Sequence, residues 1–138
     1  MSHARTDRYP RNKLYQHLGH TEKIILSVCN EGVAFKDGKL DYDPKIGKSW
    51  LSKLEKDLKG EVSRAKIDES LDFLLDDRIL RHGATEMEPV IDEEGKKWVR
   101  GYYLGNEFVE RVLMLYVATH DIPMVTQIAK TRVRQTSK

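Results

Sequence analysis

Only Glu61 and Val62 separate a helix-ending Gly60 from a helix-capping Ser63. Two apolar-faced segments joined this tightly have to pack across each other. Upstream, a helix is predicted from Ser49. Leu51, Leu54 and Leu58 line its inner side with Trp50 beside them, and Lys48, Lys53, Lys56 and Lys59 surround the outside. Downstream, Ile67, Leu71, Leu74 and Leu75 recur at helical spacing as far as about Asp77. The chain is committed to a helical corner, and the rest must supply what that corner packs on.

A first helix is expected from Thr21, with Ile24, Ile25, Val28 and Cys29 on one face and Gly32 as its stop. Residues 33–48 read as an insert, with Asp37-Gly38 as a hairpin turn between two short apolar runs. After the corner, Ile79–Ile91 and Lys96–Leu104 alternate as two strands around the turn Asp92-Glu93-Glu94-Gly95, and Pro89 suggests a sheet edge. Asn106 caps a fourth helix that runs to about His120.

The stretch from Val62 to Leu80 resembles the recognition helix and first wing strand of bacterial and archaeal winged-helix regulators. The shared pattern is a Ser cap (Ser63), basic residues (Arg64, Lys66), apolar Ile67, Leu71 and Leu74, an acidic pair (Asp76, Asp77), and a short apolar strand (Ile79, Leu80). The resemblance covers about residues 21–104. It implies an α+β, mainly helical fold: a winged helix-turn-helix of three core helices plus a β-hairpin wing, with an extra C-terminal helix. The expected organisation is a basic N-terminal arm (1–20), the winged-helix domain (21–104), a C-terminal dimerisation helix (105–122) and a basic tail (123–138).

The function this implies is a DNA-binding transcriptional regulator, its third helix (about 63–77) inserted in the major groove. With Ile67, Leu71 and Leu74 facing inward, Ala65, Lys66, Glu69 and Asp72 face outward and Arg64 lies at the flank. Arg64 and Lys66 can reach guanine edges or phosphates, Ala65 admits close approach, and Glu69 can accept from a cytosine amino group. Ser63 caps an N-terminus whose free N–H groups suit a phosphate. Lys48, Lys53 and Lys56 on the second helix, and Lys96, Lys97 and Arg100 on the wing, are candidate phosphate contacts. Phe73 points away from this core and is expected under the insert.

Charge distribution fits that reading. The net charge is +2, yet residues 1–20 and 121–138 each carry +3, leaving −4 for the hundred residues between. Against it stand Glu69 and Asp72 on the outer face and the acidic wing tip. A winged helix that binds only protein is therefore the alternative.

From Phe108 to Ala118 nine of eleven residues are apolar, more than one buried stripe requires. The expected explanation is a homodimer with double-stranded DNA as its partner, its interface formed by Phe108, Val109, Val112, Leu113, Leu115 and Tyr116. The competing explanation is an N-terminal segment that wraps this helix within one chain.

Other chemistry finds little footing. A single cysteine, Cys29, excludes an internal disulfide, and it is expected in the core. His17 and His20 have no companion ligand at a convincing spacing, so no metal or cofactor is expected. Phosphate-loop, dinucleotide and hydrolase motifs are absent, so no enzyme is expected. A metal-dependent nuclease built from Asp41 and Asp43, or from Glu86 and Glu88, is a minor alternative. The longest apolar run has seven residues, far below the ~20 that cross a bilayer, and the first ten residues do not resemble a secretory signal. A cytoplasmic location is expected.

Overall fold

The computed structural model describes residues 9–91, 97–122 and 127–128. Helix α1 (His20–Gly32) packs against each of the other three helices: α2 (Leu51–Asp57), α3 (Arg64–Asp76) and α4 (Val109–Thr119). Its Ile24, Leu26, Val28 and Cys29 are fully buried, and burial pushes the Cys29 thiol well above its usual range. The chain is mixed α+β, with four helices and two antiparallel hairpins among the described residues.

The first hairpin is β1 (Val33–Lys36) with β2 (Lys39–Tyr42), paired from Val33↔Tyr42 to Lys36↔Lys39. Its two-residue turn, Asp37-Gly38, carries positive φ at both positions (52° and 77°), as this connection demands. The second hairpin is β3 (Leu80–Ile91) with β4 (Lys97–Leu104), and its register slips between Ala84 and Pro89. Pro89 is paired with Val99 inside it.

Three sequence expectations need correction. Ser49 does not begin a helix. Its N–H and C=O both pair with Tyr102 of β4, so α2 starts only at Leu51. This bridge ties the stretch before α2 to the base of the second hairpin. The basic arm, by contrast, docks on the body as a short amphipathic turn would, from Tyr9 onward. A 3₁₀ turn at Lys13–His17 buries Tyr15, and Arg11 lies over the Tyr15 ring at 4.0 Å while holding Glu61 at 3.1 Å. The tail, in turn, is not only a tail. Gln127–Ile128 forms β5, which pairs in parallel with Lys39 and Leu40 of β2. Finally, Phe73 is not tucked under the insert but is 54% exposed.

Most of the apolar surplus of α4 is absorbed within the chain, with Met114 and Ala118 left exposed. Leu113 and Tyr116 are fully buried, and Val109 and Val112 are nearly so; Phe108 and Leu115 are half-buried against the same core. The segment before α1 covers the end of α4. Asn12 N–H donates to Thr119 C=O (2.9 Å), the Asn12 amide to Ala118 C=O (3.0 Å), and Asp121 N–H to Pro10 C=O (2.8 Å). Tyr9 meets Tyr116 edge to face, and His120 stacks on Tyr116 at 3.9 Å. The six residues expected at a dimer interface therefore face their own subunit. This is the wrapping that the sequence offered as the competing explanation.

Helix α3 ends in a Schellman turn: Ile79 N–H reaches Leu74 C=O and Arg78 N–H reaches Leu75 C=O. Arg78 holds the left-handed position at φ 61°, where glycine carries no steric cost. Arg78→Gly is expected to raise stability by about 1 kcal/mol in urea unfolding, because the strained side chain is removed from that position.

Candidate nucleic-acid interface

Helices α2 and α3 meet through the turn at residues 58–62, closed by Glu61 and Val62 N–H groups on Leu58 C=O. The Ser63 hydroxyl then accepts the Lys66 N–H at 3.2 Å, the cap read from the sequence. Ile67, Ser70, Leu71 and Leu74 turn inward, because α1 and α2 provide the apolar surface there. Ser63, Arg64, Ala65, Lys66, Glu69 and Asp72 are all exposed, the outward set expected.

The cations on this face are paired. Arg64 reaches Glu55 of α2 at 3.0 Å and Asp68 at 3.2 Å, and Lys66 reaches Glu69 at 3.4 Å. The hydrogen bonds to Glu55 and then Asp68 raise the Arg64 guanidinium above its ordinary value. All of these partners are substantially exposed, and exposed ion pairs of this kind are worth little. A phosphate or a base edge can replace them at small cost. The pairing of Arg64 with Glu55 is the feature the sequence reading missed. Its only sequence signal is a nine-residue spacing that straddles a helical corner.

The lysine band of α2 divides. Lys56 is exposed and faces solvent. Lys53 instead bridges Glu31 (3.2 Å) and Asp57 (3.3 Å), lashing α2 to α1. Burial lowers its pKa, but the Glu31 and Asp57 carboxylates outweigh this and hold the ammonium above its ordinary value. Lys53 is therefore removed from the set of phosphate contacts. Lys48 is half-buried and lies along Gly83 of β3. On the second hairpin, Lys97 stands opposite Ile91 and Arg100 opposite Ala84 in the strand register. Lys96 lies outside the described residues, as do Arg5, Arg8 and the basic residues after Ile128.

The outer face of α3 is electrostatically uneven. Its first two turns balance Arg64 and Lys66 against Asp68 and Glu69. Its second half presents Asp72 and Asp76, with the exposed Phe73 between them. Of the residues named for a nuclease, the side chains of Glu86 and Glu88 lie outside the described residues. Asp41 is buried with its carboxylate on the Tyr42 N–H (2.7 Å), and Asp43 accepts the Lys45 N–H. Among the described residues no cluster of three His, Cys, Asp or Glu could hold a metal, and no helix is long and apolar enough to cross a membrane. His17 and His20 are both exposed. Comparison with protein-family models, curated proteins and solved structures finds no match.

Proposed function

We propose that the chain is a winged helix-turn-helix protein that binds double-stranded DNA and regulates transcription. The observation that carries this reading is the outward display of Ser63, Arg64, Ala65 and Lys66 on the first turn of α3, beside a long hairpin. Three further features support it. The element order, leaving aside the 33–42 hairpin, is helix, short bridge at Ser49, helix, tight turn, helix, hairpin. The Ser49–Tyr102 pairing anchors the base of that hairpin next to α2. The long basic segment after Ile128 can add phosphate contacts.

In this mechanism the first two turns of α3 enter the major groove. Arg64 and Lys66 exchange their carboxylate partners for base edges or phosphates, Lys56 holds the flanking backbone, and the hairpin lies along the adjacent phosphates. A pairing of two copies would run along the exposed strip Arg111, Met114 and Ala118 of α4, not through the buried Leu113.

The test is fluorescence anisotropy on mixed duplexes across a salt series. Arg64→Ala and Lys66→Ala are each expected to weaken binding by about ten- to a hundredfold. Removing residues 129–138 is expected to flatten the salt dependence. Wild-type protein that ignores duplex DNA at low salt would overturn the reading. The acid-rich second half of α3 and exposed Phe73 favour a second reading, a winged-helix module that binds protein through this face. Under it, no duplex is retained at any salt concentration.

A further inference from the structure

A cavity of about 280 Å³ opens where three parts of the chain meet. The end of the first hairpin contributes Tyr42 and Pro44, the base of the second contributes Arg81 and Tyr103, and the approach to α4 contributes Asn106 and Val109. The Tyr42 hydroxyl is already engaged, accepting the Leu104 N–H at 3.1 Å and donating to Gly47 C=O. Tyr42 itself is only 1% exposed, so it backs the cavity wall and offers little open surface. With Pro44 and Val109, the wall is apolar over most of its extent.

Arg81 is the one formally charged residue in that wall among the described residues. Its partner, Glu107, stands outside the wall at 3.7 Å, and both side chains are well exposed (39% and 63%). A long, solvated pair of this kind gives way readily to a better acceptor. The guanidinium fork matches a carboxylate through two parallel hydrogen bonds, and the Asn106 amide lies on the same rim. The volume falls at the small end of ligand cavities (~300–1,000 Å³), which limits the occupant to roughly ten non-hydrogen atoms.

From this geometry we infer a binding site for a small monocarboxylate with a flat apolar body, its carboxylate on Arg81 and its body against the wall of Pro44, Tyr103 and Val109. Arg81 and Tyr103 are cross-strand partners at the root of the β3–β4 hairpin, so the ligand sits where that hairpin joins the body. The site stands apart from the nucleic-acid reading, and its test contains no DNA.

The full chain, labelled with ¹⁵N, is titrated with sodium benzoate at constant ionic strength, and benzamide serves as the uncharged isostere. Benzoate is expected to give saturable shifts at the Arg81, Tyr103 and Asn106 amides. Benzamide is expected to bind roughly tenfold more weakly, since it lacks the charge-assisted fork. Arg81→Gln is expected to abolish the preference for benzoate over benzamide. Equal binding of the two compounds, shifts scattered away from the cavity, no saturation, or an unchanged preference in Arg81→Gln each overturns the inference. Should Arg81→Gln fail to fold, the comparison of benzoate with benzamide in the wild type decides the matter alone.

Discussion

Leu113→Glu is expected to leave no folded protein at 25 °C, with the native circular dichroism lost and no cooperative urea transition. Leu113 has no exposed surface and sits between α1 and the segments that cover α4. Burying a carboxylate there without a partner is among the few mechanisms that cost more than about 4–5 kcal/mol. That figure is a large share of the ~5–15 kcal/mol that holds a domain of this size together. Leu113→Ala separates the charge from the lost packing and is expected to cost about 2–5 kcal/mol while remaining folded. A folded, monomeric Leu113→Glu protein beside a dimeric wild type would show instead that this face meets a second copy. The expectation of a dimer rested on counting apolar residues along α4, and the count was sound. What it lacked was the identity of the cover, which is supplied by residues a hundred positions away.

Gly47→Ala is the second large effect, at roughly 3 kcal/mol or more in urea unfolding. Gly32 ends α1, and Gly47 lies in the return from the first hairpin. A Cβ on Gly47 would stand 2.7 Å from Gly32 Cα, 2.7 Å from Asp43 C=O and 2.5 Å from the Tyr42 ring. A Cβ on Gly32 would meet Gly47 Cα at 2.6 Å, the Tyr42 ring at 2.6 Å and Asp43 C=O at 2.8 Å. Two of them are backbone, and the ring is held by hydrogen bonds at its hydroxyl, so none can step aside cheaply. Because both changes load one contact, the Gly32→Ala, Gly47→Ala double variant is expected to lose less than the sum of the singles. A Gly47→Ala midpoint within about 0.5 kcal/mol of wild type would mean that the two backbones can part freely.

What could be read from the sequence was the structure that near neighbours dictate. The Ser63 cap, the inward Ile67, Leu71 and Leu74, the Asp37-Gly38 turn and the buried Cys29 each follow from local spacing. The outward set from Arg64 to Asp72 follows from the same helical period. The rest depends on partners far along the chain. Ser49 carries no mark of its bridge to Tyr102, and Lys53 reads as solvated until Glu31 is brought beside it. The cavity draws its wall from three separate stretches of chain, none of which has a motif of its own.

The seam between residues 10–12 and 118–121 bears on how the polypeptide matures. Contacts between such distant positions close late and slow the search for the native state. A nascent chain emerges N-terminal end first, so residues 10–12 have nothing to bind until α4 has been made. Until then Tyr15 and the inner side of α1 lack part of their covering. Any fragment that stops short of residue 118 should therefore be sticky, and chaperone dependence should fall away only once residues 118–121 have been made.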